Sequence, residues 1–254
     1  MKKKILVVGP ALSRSGYGEH TRFLMRSLRE YEEFFDVFLE NTNWGNTNWI
    51  HEDNEERRWI DSVLTKTIMY ESTNRDPQKY DISAQVTIPN EWKKRAPINI
   101  GVTAGIETTK VAGEWVVQGL EMDKIIVVSN HSKDTYANAV YDATSKATGK
   151  IHKNLKCTTP MEVVHYPVRK SKKVDLGFDL EYDFNFLTVA QWGPRKNLEN
   201  TIRWFMEENY DKEVGLVVKA SIRKNCLIDR RHSEARLKNL LKDFPDRKCK
   251  VYLL

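Results

Sequence analysis

The run Phe186-Leu-Thr-Val-Ala-Gln-Trp-Gly-Pro-Arg195-Lys196-Asn197 places two adjacent cations just past a Gly-Pro turn, between an apolar segment and an amphipathic one. The chemistry of such a pattern is anion binding. A helix N-terminus presents N–H groups without intrahelical partners and the positive end of its dipole, and full charges beside it add to that field. Cations there oppose the dipole, which points to a negative ligand, although an ordinary basic helix start has the same spelling. A third cation, Lys219, closes the next apolar run, Leu216-Val217-Val218. Near the N-terminus, Gly16-Tyr17-Gly18 lies between the first apolar run and the first helical pattern. Glycines there let the backbone approach a ligand and equally serve a plain strand-to-helix turn. A dinucleotide fingerprint requires a third glycine, and Thr21 stands in its place. Glu107 follows another apolar run. A carboxylate at the carboxyl end of a strand lies where open α/β sheets bind ligands. It can receive a hydroxyl there, or it can cap a helix or pair with a cation. His20, at the start of the first helix, reads as a surface residue.

These residues need a scaffold of alternating strands and helices, and the hydropathy pattern predicts one. Strands are expected over 5–8, 34–39, 80–88, 98–103, 124–129 and 161–166, with helices over 19–31, 54–66, 115–122 and 132–140. The basic stretch 168–183 reads as a linker. Beyond it, strands over 186–189, 215–220 and 250–254 alternate with helices over 197–209 and 233–243. The expected fold class is α/β, with two Rossmann-like domains on parallel sheets, one over 1–170 and the other over 184–254. The second pattern has about three strands and stops on one, at Tyr252-Leu253-Leu254, so the expectation is a sequence cut inside its second domain.

Composition narrows the function classes. The chain has 254 residues, 40% hydrophobic and 30% charged, with a net charge of +6. No stretch reaches the roughly 20 apolar residues of a membrane span. Cys157, Cys226 and Cys249 are too few and too scattered for a disulfide framework or a metal site. No metal and no cofactor is therefore expected, and the setting expected is a reducing cytoplasm. Charge is uneven: residues 146–173 carry eight basic and one acidic side chain, and residues 219–250 eleven and four. Such stretches suit phosphate-bearing substrates or peripheral contact with an anionic membrane, or they are solvated faces. No nucleic-acid partner is expected, because aromatic residues do not interleave with the basic runs.

Several segments resemble family 4 glycosyltransferases, which have the GT-B fold. The block Ile100-Gly-Val-Thr-Ala-Gly-Ile-Glu107-Thr108-Thr109, then Trp115, then Met122-Asp123-Lys-Ile-Ile-Val-Val-Ser129-Asn-His-Ser132-Lys133 is similar to one in many members: Glu-Thr after a strand, Trp on a helix, then Asp, a strand and a Ser pair. In the 186–197 segment, Lys196 matches the lysine that holds the donor diphosphate. The resemblance is strongest over 100–135 and 184–205. It implies transfer of a sugar from a nucleotide-sugar donor to an acceptor hydroxyl of a glycan, lipid or protein, with retention and without a metal. It also implies donor-binding roles for Gly16, Gly18, Arg195, Lys196 and Lys219, with Glu107 as the catalytic candidate. Departures from the family pattern are specific. Gln191 stands where an arginine is usual, Ala104 and Gly105 stand where many members carry a histidine, and no Glu-x7-Glu pair follows Lys219. These departures favour a rival reading, a non-catalytic nucleotide- or glycan-binding module. They also predict little transferase activity from these 254 residues alone. An NAD-type oxidoreductase is disfavoured by the interrupted glycine fingerprint.

Overall fold

The computed structural model describes residues 2–144, 149, 151–170 and 172–254, so Lys146 and Lys150 of the basic stretch 146–173 and Ser171 of the expected linker lie outside the described residues. The chain forms two compact units. One comprises residues up to Gly45 and Trp49–Arg169, the other Lys170–Leu254 with Asn46–Asn48.

In the first unit, β1 (Lys3–Gly9), β2 (Phe35–Asn41), β3 (Ile82–Val86), β4 (Ile98–Val102) and β5 (Lys124–Val127) alternate with α1 (Gly16–Arg29), α2 (Glu55–Thr73), α3 (Gly113–Gly119) and α4 (Asn130–Ala137). A hairpin of β6 (Tyr141–Thr144) and β7 (Ile151–Leu155) follows, then β8 (Met161–Val163). Six strands form one parallel sheet in the order β2-β1-β3-β4-β5-β8. The chain runs from β1 outward to β2 and returns past β1 to β3, so the topological switch point lies between β1 and β3, where open sheets form a ligand crevice.

The core follows from strand alternation. Ile5, Val7, Val37 and Leu39 pack with Met25 and Leu28 of α1 and with Ile60 and Val63 of α2. Leu6, Val8 and Phe38 join Tyr70 and Tyr80 in a separate cluster. Strand β2 is the sheet edge, and its Leu39 amide donates to Thr67 Oγ1 of α2 at 2.9 Å, which gives a buried edge amide a partner. Near β4 and β5 a second cluster centres on Trp92, Ile125 and Tyr136. Trp92 lies against Gly101, where an added Cβ would come within 2.7 Å of the ring.

The second unit holds β9 (Asn185–Gln191), α5 (Leu198–Glu208), β10 (Gly215–Ser221), α6 (Leu227–Leu241) and β11 (Lys250–Leu253). Its parallel sheet has the order β11-β10-β9. Leu198, Ile202 and Met206 of α5 and Leu237 and Leu240 of α6 pack on Leu216 and Val218. No helix among the described residues is long and apolar enough to cross a membrane.

Three helices and one hairpin differ from the sequence expectation for identifiable reasons. Helix α1 begins at Gly16, three residues early, because the Ser15 cap outweighs the poor helix propensity of two glycines. Helix α2 runs seven residues past its expected end, where Ile68 and Met69 are exposed and break the apolar periodicity. Helix α6 starts six residues early for a similar reason, with Leu227 and Ile228 facing solvent. The β6–β7 hairpin is absent from the sequence expectation: β6 is only four residues long and β7 carries no apolar alternation.

Replacing Gly101 by Ala forces a methyl group into the Trp92 ring. The expected cost is about 1–3 kcal/mol, read as a lower urea midpoint with an unchanged slope. Unchanged stability would show that Trp92 has room to move.

Candidate functional site

The residues singled out in the sequence fall into two sets, one in each unit. In the first unit, the carboxyl ends of β1 and β4 share one rim of the sheet. The loop after β1 is held by a buried guanidinium: Arg22 Nη1 donates to the Ala11 carbonyl at 2.6 Å and the Ser13 carbonyl at 2.8 Å, and Nη2 pairs with Glu19 at 2.7 Å. Ser15 caps α1, its Oγ accepting from the Gly18 amide at 3.0 Å. Gly16 and Gly18 thus belong to the first turn of a helix and not to a loop, as the sequence had suggested. The Gly18 amide is already engaged, and a Cβ there would overlap the Ser13 carbonyl oxygen, so this glycine serves close backbone packing. Gly16 faces open space, with nothing within 4 Å of an added Cβ.

Tyr17 links α1 to β4. Its hydroxyl lies 3.0 Å from Thr103 Oγ1 and accepts from the Ala104 amide at 3.3 Å, and its ring stands 4.4 Å from that of Trp44. The end of β4 at Thr103 and Ala104 is therefore met by a tyrosine from another element. Glu107 is exposed, five residues beyond the end of β4 in the connection to α3. That connection is tied down beside it, with the Ile106 amide donating to Ser132 Oγ at 3.1 Å. Ser129 caps α4, its Oγ accepting from the Ser132 amide at 3.0 Å.

His20 is buried, 8% exposed, which corrects its reading as a surface residue. Its ring packs edge-on against Tyr166 at 4.9 Å, and among the described residues its Nδ1 is buried without a partner. Burial disfavours the imidazolium and pushes its pKa down to about 4, so His20 is neutral near pH 7. His165 has Nδ1 at 3.0 Å from the Val128 carbonyl oxygen.

In the second unit, β9 ends at Gln191 and Pro194–Lys196 make one 3-10 turn. Asn197 then takes a left-handed backbone, φ 48°, and α5 begins at Leu198. Arg195 and Lys196 thus precede the helix and do not open it. Proline fixes the tight turn, and asparagine tolerates the left-handed residue that re-aims the chain. Both cations are exposed. Lys219 was expected to close its strand, but β10 continues to Ser221. Lys219 lies inside it, in register with Val189 and exposed.

Beside this turn is a hollow of about 510 Å3 lined by Trp192, Gly193, Pro194, Asn197, Ile222, Arg223 and Arg236 among others. Its cations are Arg223 and Arg236, which sequence reasoning missed. Arg236 stands 5.9 Å over the Trp192 ring. The loop carrying Arg223 is fastened on two sides: Gln191 Nε2 donates to the Ile222 carbonyl at 2.8 Å, and Asp229 Oδ2 accepts from the amides of Arg223 at 2.9 Å, Asn225 at 2.8 Å and Lys224. Burial pushes the Asp229 carboxyl up, but the three amide bonds outweigh it and hold the pKa below the usual value. Among the described residues no group of His, Cys, Asp and Glu side chains could hold a metal ion.

No family model matches the chain, and no curated protein matches it. Solved structures it is similar to include an O-GlcNAc transferase, MurG and a trehalose-6-phosphate synthase. An O-GlcNAc transferase mutant of Thermobaculum terrenum aligns with 99% of the chain and 44% of its own length, at 12% identity and a TM-score of 0.46. MurG of Acinetobacter baumannii aligns with 100% of the chain and 66% of its own, at 10% identity and 0.44. A trehalose-6-phosphate synthase aligns with 98% and 72%, at 10% identity and 0.47. The chain therefore spans only part of each. Likenesses of this degree carry no weight for substrate, donor or mechanism.

The His20 environment sets a pH dependence of stability. An unfolded imidazole titrates near 6.5 and the folded one at about 4. Between these values the unfolded chain binds the extra proton, so stability falls as the pH is lowered from about 6.5 towards 4. The slope attributable to His20 is at most about 1.4 kcal/mol per pH unit. Urea unfolding of the wild type and His20→Phe from about pH 7 to pH 4.5 should show a shallower profile in the variant. Parallel profiles would show that His20 is protonated in the fold.

Proposed function

We propose that this protein contributes to transfer of a sugar from a nucleotide-sugar donor to an acceptor hydroxyl, with retention of configuration. The observation that carries the reading is the cationic turn Gly193-Pro194-Arg195-Lys196 at the carboxyl end of a parallel strand, beside a hollow of ligand size. Lys196 and Arg195 meet the donor diphosphate. As the sugar leaves, negative charge builds on that diphosphate, and fixed cations stabilise it more in the transition state than in the ground state. No protein nucleophile and no metal is invoked. Lys219 assists from β10 as a more distant charge.

In the first unit, Gly16 is on the donor-binding side, the rim around Tyr17 is the acceptor side, and Glu107 receives the acceptor hydroxyl. The acceptor is a glycan, a lipid or a protein. Exposed basic residues such as Lys153 and Lys156 suit a peripheral contact with an anionic membrane surface, and the setting proposed is the cytoplasm.

The test is titration calorimetry with UDP, GDP, ADP and NAD on the full chain, followed by an assay of nucleotide release from the matching nucleotide-sugars. UDP or GDP should bind. Lys196→Ala should weaken that binding roughly 10- to 100-fold, as loss of a charge-assisted contact does, and Arg195→Ala should weaken it less. Binding of NAD alone, or an unchanged affinity in Lys196→Ala, would sink the reading.

A further inference from the structure

We infer that Arg223 and Arg236 form a phosphoryl-group site of their own, and that Asp229 is the residue that positions it. That this site gives a phosphate of the donor a second contact, beyond the one made by Lys196 and Arg195, rests on the reading above; the site itself does not.

Three observations meet here. First, both guanidiniums line the hollow of about 510 Å3, and both also line an adjoining one of about 670 Å3, so they stand on the wall between two open spaces. Second, among the described residues neither side chain has an ion pair or a hydrogen bond; the contact of Arg236 is with the Trp192 ring. Other arginines are occupied, Arg22 and Arg26 by Glu19 and Arg230 by Glu234. A pair of guanidiniums with open donors facing one cavity binds planar or tetrahedral oxyanions through paired N–H groups. Glu199 lines the first hollow as well, which leaves one carboxylate against two guanidiniums.

Third, the loop that bears Arg223 is held more firmly than a solvated connection requires. Asp229 is buried, 8% exposed, and one of its oxygens takes three consecutive amides. Gln191 fixes the residue before them. A loop held this way presents Arg223 without an ordering cost at the moment of binding. Neither Lys196 nor Lys219 lines the hollow, so this site is distinct from the sequence-derived one.

The experiment uses the full chain and inorganic pyrophosphate, with orthophosphate and UDP as comparison arms at constant ionic strength. Wild type should bind pyrophosphate. Arg223→Ala and Arg236→Ala should each weaken it about 10-fold or more, and Arg236→Lys should recover part. Asp229→Ala should weaken it too, while Asp229→Asn, whose amide oxygen still accepts, should retain most of it. The Arg223 side-chain Nε–H resonance should shift on adding pyrophosphate in wild type and Asp229→Asn but not in Asp229→Ala. Thermal melts of each variant confirm folding. Should Asp229→Ala not fold, the two arginine variants decide alone. No pyrophosphate binding by the wild type, or unchanged affinity in both arginine variants, overturns the inference. UDP binding that depends on Lys196 but not on the arginines overturns it and leaves the donor reading intact. Pyrophosphate binding that follows the arginines, with UDP no tighter and no turnover, supports the inference and removes the donor reading.

Discussion

Backbone N–H and C=O groups in a loop lose the partners that a strand ladder or a helix supplies, and leaving one buried and unpaired costs roughly 1–3 kcal/mol. In this protein that cost is met at the strand ends by single side chains that each serve several backbone groups. Arg22 takes the carbonyls of Ala11 and Ser13. Asp229 takes three amides after β10. At the entry to β4, Asn99 Oδ1 accepts from the amides of Arg95 and Ala96 and from Ser83 Oγ, while its Nδ2 returns a bond to the Ala96 carbonyl. The loop before Gly16 and the loop that bears Arg223 inherit their positions from two of these clamps.

The two units use their charge differently. On the first, Arg22 and Arg26 are paired with Glu19 and Glu56, so the cations there belong to the scaffold. On the second, the cations near the carboxyl ends of β9 and β10 are carried by a 3-10 turn and by a fastened loop, next to open volume. Paired charges rigidify and exposed clustered ones attract anions. Net charge alone, +6 over the chain, draws no such distinction.

Much of the α/β pattern was legible because buried parallel strands are written as short continuous apolar runs. Ile5–Val8 and Leu216–Val218 are such runs. The Ser129 cap was legible from local chemistry alone. Helix ends were not, because exposed apolar residues at Ile68, Met69, Leu227 and Ile228 conceal the periodicity on which the reading depends.

The sequence by itself determined the alternation of strands and helices, the glycine-proline turn before Arg195 and Lys196, and the absence of a cysteine framework. These are local properties: propensity, turn chemistry and spacing act within a few residues. Only the tertiary structure decided that His20 is buried and neutral, that Gly18 serves packing, and that Tyr17 reaches Thr103 across 86 residues. It also decided that Arg236, on a helix with no motif, shares a hollow with Arg223. Burial and convergence depend on which elements pack together, and that is a property of the folded chain, not of any stretch of it.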